Sequence, residues 1–342
     1  MEVAILGGGN FGTAIANIVA KNGYPTYLWM RDEQQVADCI AHGENRRYLP
    51  GHPLDARLTP TADFAQAVAN SSVCFVTVPS ASFREVGEQL ASFTQPRDIL
   101  ISATKGIEAP GFRLMSQILG EITSSERIGV LSGPNLAEEI ADAQYTGTVI
   151  ASTDDGLCKT VQKILSNETF RVYESFDVYG VELAGALKNI YAIICGMAAG
   201  LKVGQNTLGM LITRSLAEMS RFAVSMGANP LTFLGLAGVG DLLVTCTSPL
   251  SRNFQLGFRL GEGMTLAEAL ADLGKLAEGV NTLKVVYDRS RELNVYMPLV
   301  VGLYRVIYES QGIGEVVSSL MANDQAVDVE FAAPSQWDAK FA

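Results

Sequence analysis

Residues Glu2 to Gly12, EVAILGGGNFG, set the architecture that the rest of the chain has to complete. A short apolar strand leads directly into G-x-G-x-x-G at Gly7, Gly9 and Gly12, and Thr13 to Val19 then has helical composition. A strand, a glycine turn and a helix in this order form the phosphate-binding unit of a dinucleotide fold. We therefore predict that a nucleotide cofactor binds at this turn.

Each glycine has its own task in such a turn. Gly7 permits the tight bend, Gly9 lets the pyrophosphate approach the backbone, and Gly12 lets the helix pack closely on the strand. The N-terminus of the helix adds free N–H groups and a partial positive charge that favour phosphate.

The second strand, Thr26 to Met30, ends in Arg31-Asp32 and bears on the choice of cofactor. A carboxylate at this place binds the ribose hydroxyls of NAD, whereas an arginine accommodates the 2′-phosphate of NADP. Both cofactors remain open, and Arg31 favours NADP. The alternative is that the two residues only end a strand and start a helix.

The segment from Gly43 to Pro60 is predicted to be irregular. Its Arg46, Arg47 and Tyr48 could contact the cofactor, but a solvated loop is the simpler interpretation.

Three further strands are predicted at 72–78, 98–102 and 127–131. Ligands of open α/β sheets bind outside the carboxyl ends of the strands, which places Lys105 and the turn Ser132–Asn135 on the ligand rim. After Asp177 only helical patterns follow. We predict a Rossmann-type, doubly wound α/β domain at 1–178, an all-α domain at 179–321, and a tail at 322–342.

The stretch VELAGALKNIYAIICGMAAG, Val181 to Gly200, is apolar on all sides and predicts a buried helix. A buried ammonium is costly unless it is paired or loses its proton. Lys188 is therefore either a proton-transfer group or a lysine whose long stem reaches the surface.

Two later segments add polar groups. Leu236 to Leu242 is predicted to be a glycine-rich turn carrying Asp241, and Ser251-Arg252-Asn253 resembles a capped helix start. The planar fork of Arg252 suits phosphate oxygens, although an exposed arginine would also explain it.

Composition excludes several classes of protein. A net charge of -11 argues against binding nucleic acid or anionic membranes. Five scattered cysteines and two histidines predict no metal site and a reducing, cytoplasmic setting. We also expect no signal peptide, because Glu2 and a strand follow Met1 directly. We expect no integral membrane segment, because Lys or Glu interrupts every apolar run before it reaches about 18 residues.

Taken together, the motifs resemble the NAD(P)-dependent glycerol-3-phosphate dehydrogenase family of the soluble, bacterial type. The resemblance runs in order over roughly residues 1–320 and is carried by GGGNFGTAIA, SATKGIE, SGPNLAEE, VELAGALKNIYAI, GLAGVGDLLVTCTS, SRNFQLG and AEGV. It implies reversible reduction of dihydroxyacetone phosphate to sn-glycerol 3-phosphate, the backbone for phospholipid synthesis, in a homodimer.

The resemblance also implies a role for individual residues. It implies that Lys188 is the proton donor and acceptor, that Lys105 lies where substrate and nicotinamide meet, and that Asp241 supports Lys188. The substrate would contact Lys105, Asn189, Asp241, Thr245, Ser251, Arg252 and Asn253. The cofactor would contact Gly7, Gly9, Asn10, Phe11, Gly12, Arg31, Lys105, Gly133, Asn135, Ala137, Arg252, Leu276 and Glu278. Phe11 stands where the family commonly has tryptophan or tyrosine, and the tail after about Met321 matches nothing in the family.

Two alternatives remain. One is a related two-domain NADP-dependent reductase of 3-hydroxy acids or ketopantoate, whose carboxylate substrate would not need the phosphate clamp at Arg252. The other is a non-catalytic NAD(P)-binding sensor, which could dispense with Lys105, Lys188 and Asp241.

Overall fold

The structure, a computed structural model, describes residues 1–274 and 277–322. The strands are β1 (Glu2–Leu6), β2 (Thr26–Trp29), β3 (Leu58–Thr61), β4 (Ser71–Val76), β5 (Ile99–Ser102), β6 (Ile107–Glu108), β7 (Arg113–Leu114), β8 (Arg127–Ser132), β9 (Thr146–Ala151) and β10 (Phe170–Ser175). Eight of them form one sheet in the order β10-β9-β8-β5-β4-β1-β2-β3, while β6 and β7 form a small hairpin.

The sheet is parallel except at one junction, where β9 pairs antiparallel with β8. The parallel block β3-β2-β1-β4-β5-β8 has the strand order of a dinucleotide-binding sheet. The predicted doubly wound fold is therefore confirmed. The carboxyl ends of β1, β4, β5 and β8 share one edge, so the loops after them form a common rim.

The prediction that Gly43 to Pro60 is wholly irregular was wrong, because β3 begins within it at Leu58. β3 is an edge strand that pairs only with β2, with Leu28 opposite Pro60. Proline is tolerated there because an edge strand has one side without ladder hydrogen bonds. The proline and the short length remove the usual strand signal from the sequence.

Helices cover the sheet and then form the second half. They are α1 (Asn10–Lys21), α2 (Glu33–His42), α3 (Phe64–Val68), α4 (Phe83–Ala91), α5 (Met115–Ile122), α6 (Ala137–Ala141), α7 (Asp155–Leu165), α8 (Val178–Gly200), α9 (Gln205–Ser225), α10 (Asp241–Thr247), α11 (Arg252–Gly261), α12 (Leu266–Leu273), α13 (Glu278–Glu292), α14 (Pro298–Tyr308) and α15 (Ile313–Met321). Single 3₁₀ turns lie at Ser80–Ser82 and Pro230–Leu234, and a π-helical turn lies at Leu236–Gly240.

Helix α8 is the centre of the helical half, and 89% of its most apolar 18-residue window is buried inside the protein. It is the one helix of the described residues that is long and apolar enough to cross a membrane. Its burial against other helices accounts for that composition without a bilayer.

Glycines bring α8 and α11 into backbone contact. A Cβ at Gly257 would lie 1.9 Å from the Ile193 carbonyl oxygen, and one at Gly261 would lie 2.3 Å from that of Met197. On α8, a Cβ at Gly196 would lie 2.1 Å from the Phe254 carbonyl oxygen. The two helices advance in the same direction, so the start of α11 lies beside Lys188 and Asn189.

Candidate active site

Lys188 lies on α8 with its side chain only 8% exposed. Its Nζ contacts Asp241 Oδ1 and donates a hydrogen bond to Thr245 Oγ1 at 2.7 Å. The ammonium does not reach the surface, so the interpretation of Lys188 as a solvated lysine was wrong.

Asp241 joins two lysines from opposite halves of the chain. Its other carboxylate oxygen, Oδ2, accepts a hydrogen bond from Lys105 Nζ at 2.6 Å, and the Asp241 side chain is 1% exposed. Lys105 Nζ also lies 3.3 Å from the Gly133 carbonyl oxygen. A Cβ at Gly185, one turn before Lys188, would lie 3.7 Å from Lys105 Cγ, so α8 packs directly on the stem of this lysine.

Burial lowers the pKa of Lys188 to about 7. The Asp241 carboxylate opposes this change and the nearby Lys105 ammonium reinforces it. A lysine with a pKa near neutrality can both donate and accept a proton at working pH, as a general acid–base group requires.

The segment from Leu236 to Leu242 is helical, and the prediction of a glycine-rich turn was wrong. The π-helical turn Leu236–Gly240 runs straight into α10, of which Asp241 is the first residue. Gly238 lets the π-helical turn pack closely on the 3₁₀ turn Pro230–Leu234, because a Cβ at Gly238 would lie 2.3 Å from the Phe233 carbonyl oxygen. Thr245 lies one turn further along α10.

The start of α11 supplies the next polar groups. Ser251 caps the helix by accepting a hydrogen bond from the Phe254 N–H at 3.3 Å, which confirms the predicted capped start. Asn253 is buried, and its Oδ1 accepts from the Gly279 N–H at 3.0 Å. Arg252 is exposed. Burial raises the pKa of the Glu278 carboxyl, and the positive charge of Arg252 partly opposes this rise.

Glu278 links the two halves of the molecule. Its Oε1 accepts a hydrogen bond from the Ser80 N–H, after β4, at 3.1 Å. The loops at the sheet rim and the starts of α11 and α13 therefore face the same cleft.

The glycine turn has the shape that a dinucleotide needs. A Cβ at Gly12 would lie 1.9 Å from the Gly7 carbonyl oxygen, whereas one at Gly9 would meet nothing within 4 Å. The N-terminus of α1 has no side-chain cap and no acidic residue in its first turn. Its N–H groups and the open space at Gly9 are thus free for a phosphate.

Unpaired polar atoms stand further along the same rim. Ser132 Oγ and Asn135 Oδ1 are buried and have no hydrogen-bond partner among residues 1–274 and 277–322, while Asn135 Nδ2 donates to Thr148 Oγ1 at 2.8 Å. Buried polar atoms of this kind normally have a partner, so these two are suited to a carboxamide such as that of nicotinamide. The residues present therefore fit a nicotinamide dinucleotide.

The remaining predicted cofactor residues lie along this cleft or outside the described residues. Asn10 begins α1 and Phe11 is half-buried beside it, and Ala137 begins α6. Arg31 is exposed at the end of β2 and pairs with Glu85 at 3.0 Å. Leu276 and, apart from Ala322, the predicted tail lie outside the described residues.

Sequence reasoning missed the groups that hold the glycine turn. Asn45 and Gln35 both donate hydrogen bonds to the Gly8 carbonyl oxygen, at 3.0 and 2.7 Å. Neither lies in a recognisable motif.

The missed signal for the α8–α11 contact was the matched G-x-x-x-G spacing at Gly196 and Gly200 and at Gly257 and Gly261.

Comparison with known families matches both halves of the chain. The sequence fits the N-terminal domain of NAD-dependent glycerol-3-phosphate dehydrogenase over residues 2–158 and the C-terminal domain over 177–318. The chain belongs to the NAD-dependent glycerol-3-phosphate dehydrogenase family. The predicted resemblance is thereby confirmed.

Individual members of the family are similar over nearly the whole length. The chain is 54% identical to a glycerol-3-phosphate dehydrogenase, NAD(P)+, of Teredinibacter turnerae over 96% of this chain and 97% of that protein. It is 55% identical to the protein of the same name of Ectopseudomonas mendocina, over 96% of each. The crystal structure of glycerol-3-phosphate dehydrogenase from Coxiella burnetii superposes with a TM-score of 0.90 at 34% identity, covering 94% of this chain and 99% of that one.

Proposed function

We propose that this protein is an NAD(P)-dependent glycerol-3-phosphate dehydrogenase, which reversibly reduces dihydroxyacetone phosphate to sn-glycerol 3-phosphate. One observation carries the proposal: the Asp241 carboxylate is shared between Lys188 and Lys105 on the rim that also holds the glycine turn. Bound in this cleft, the nicotinamide ring supplies or accepts the hydride at C2 of the three-carbon substrate.

Lys188 moves the proton that this reaction requires. In reduction the ammonium gives its proton to the oxygen at C2, and in oxidation the neutral amine removes it. A pKa of about 7 makes both forms available at neutral pH. Asp241 biases this equilibrium towards the ammonium, and Thr245 Oγ1, 2.7 Å from Nζ, fixes its direction.

Lys105 stabilises negative charge on the substrate oxygen. Its side chain is 21% exposed, and its ammonium bonds the same carboxylate as Lys188. A fixed positive charge aimed at the developing alkoxide lowers the barrier with little reorganisation.

The substrate phosphate binds at the start of α11. Arg252 provides the guanidinium fork, and Ser251, Asn253 and Asn189 provide polar groups beside it. Because α8 and α11 touch at their glycines, this anchor holds the carbonyl at a fixed distance from Lys188.

The cofactor would bind along the rim of the sheet. The turn residues Gly7, Gly9, Asn10, Phe11 and Gly12 would hold its pyrophosphate, and Gly133, Asn135 and Ala137 would hold its nicotinamide. Arg31 would reach the adenosine ribose and favour NADP, Arg252 would also contact the cofactor, and Glu278 would close the far end of its site.

We also propose the domain roles, the oligomeric state and the location of the protein. Residues 1–178 form the cofactor domain and 179–321 the catalytic domain, and the apolar helical half supports a homodimer. The protein acts in the cytoplasm, where its product supplies phospholipid synthesis.

The test follows NADPH absorbance after dihydroxyacetone phosphate is added, with NADH in parallel. We expect turnover with this substrate and none with ketopantoate or simple keto acids. Lys188→Ala should still bind NADPH but lose about 10²–10⁴ in turnover, the contribution of a general acid. Reduction of ketopantoate would favour the related reductase, and NADPH binding without any turnover would favour the sensor.

A further inference from the structure

The Asp32 carboxylate, just after β2, already has hydrogen-bond partners within the protein. Asp32 caps α2, because its Oδ1 accepts hydrogen bonds from the Gln34 and Gln35 N–H groups at 3.0 and 3.3 Å. Its Oδ2 accepts from Arg47 Nη1 at 2.7 Å. The hydrogen bond from the Gln35 N–H is the main reason why the pKa of Asp32 is lowered. Both oxygens are thus engaged within the protein.

The loop that carries Arg47 is fixed to the glycine turn. Asn45 is fully buried and donates hydrogen bonds to the Gly8 carbonyl oxygen at 3.0 Å and to Thr13 Oγ1 at 2.8 Å. Asn17 on α1 also donates to the Pro53 carbonyl oxygen at 2.8 Å. Arg47 therefore has a set position relative to the turn that binds the pyrophosphate.

We propose that Arg47 selects NADP over NAD by exchanging Asp32 for the 2′-phosphate of the cofactor. The proposal rests on the NAD(P) site of the proposed function and adds a residue to it. Arg47 bonds Asp32, Arg31 directly precedes Asp32 in the chain, and the side chains of Arg47 and Arg31 are 60% and 58% exposed. Once Arg47 leaves Asp32, its guanidinium fork can bond two oxygens of the phosphate, which is the arrangement that arginine favours.

The exchange is favourable because the resting contact is weak. Ion pairs between exposed side chains contribute little to stability. When Arg47 leaves, Asp32 keeps its two hydrogen bonds from α2. ADP-ribose lacks the 2′-phosphate, so it has no anion that could replace Asp32 as the partner of Arg47. The Asp32 carboxylate then stays bonded to Arg47 and to the start of α2, where it does not bind the ribose hydroxyls.

Calorimetric titration with 2′-phospho-ADP-ribose and with ADP-ribose tests this without substrate or turnover. For Arg47→Ala we expect the Kd of the phosphorylated fragment to rise about 10- to 100-fold, as for a lost hydrogen bond to a charged group, with little change for ADP-ribose. The matched control is Arg46→Ala, in the same loop and with the same change of charge, since Arg46 pairs with Glu44 at 2.8 Å. It should leave both Kd values as in the wild type.

Three results would overturn the proposal. Equal weakening of both fragments in Arg47→Ala would mean that the variant only disturbs the loop. An equal effect of Arg46→Ala would mean that general positive charge, not Arg47, attracts the phosphate. Unchanged Kd values for both fragments in Arg47→Ala would mean that Arg47 does not bind the 2′-phosphate. Failure of dihydroxyacetone phosphate reduction is a separate result, because neither fragment undergoes the reaction.

Discussion

Replacing Asp241 with asparagine tests the shared carboxylate, because it removes the charge and keeps the shape. Lys188 and Lys105 would then face each other without the anion that each now contacts. Removing one partner of a buried ion pair costs roughly 3–5 kcal/mol. At about 1.4 kcal/mol per pKa unit, this would lower the pKa of Lys188 by roughly two units or more.

The direction of the pH dependence follows from that change. Reduction needs the ammonium form of Lys188, so activity is present below its pKa and lost as pH rises through it. In the wild type this loss is centred at about 7. With a pKa near 5, the ammonium at pH 7 is about 1% of the enzyme instead of half, a fall of about fiftyfold.

The assay is the pH profile of kcat/KM for dihydroxyacetone phosphate at saturating NADPH. The alkaline limb for Asp241→Asn should move about two pH units lower, with activity recovering towards pH 5. The matched control is Asp272→Asn, which breaks an exposed pair with Arg259 at 2.5 Å and should reproduce the wild-type profile. An unmoved limb, or a loss of equal size at every pH, would refute the reasoning that Asp241 acts through the charge of Lys188.

Three more predictions concern the substrate anchor, a buried acid and the cofactor turn. Arg252→Ala should raise the KM for dihydroxyacetone phosphate more than it lowers kcat, because the guanidinium binds the phosphate end of the substrate. An unchanged KM in steady-state kinetics would count against Arg252 as the phosphate-binding residue. Burial raises the pKa of Glu182 from 4.5 to about 7, so its contribution to stability is present below pH 4.5 and is lost as pH rises through 7. Glu182→Gln should remove about 2.5 kcal/mol of the fall in unfolding free energy between pH 5 and 8, as measured by urea unfolding. An equal fall in both proteins would contradict the assignment. Gly12→Ala should abolish NADPH binding in a fluorescence titration, because the added Cβ would lie 1.9 Å from the Gly7 carbonyl oxygen. The control Gly209→Ala, whose Cβ would meet nothing within 4 Å, should bind NADPH normally. Binding retained in Gly12→Ala would show that the turn can relax.

Features set by neighbouring residues could be predicted from the sequence. The strand, glycine turn and α1 follow one another within residues 2–21, and their steric requirements are local. Ser251 caps the helix that begins just after it with its own side chain. The uniform apolar character of α8 predicted its burial, since no face of it suits water.

The geometry of the candidate site was decided by tertiary structure. Lys105 and Asp241 are 136 positions apart, and Lys188 and Asp241 are 53 apart, so no periodicity records that one carboxylate serves both lysines. That contact depends on α8 crossing the rim of the sheet at Gly185 and on α10 starting at Asp241. The pKa of Lys188 is likewise a property of the packed interior, because burial is its main cause. Sequence supplied the chemical groups, but only the packing of distant elements determines the separation, solvation and partners that make them a site.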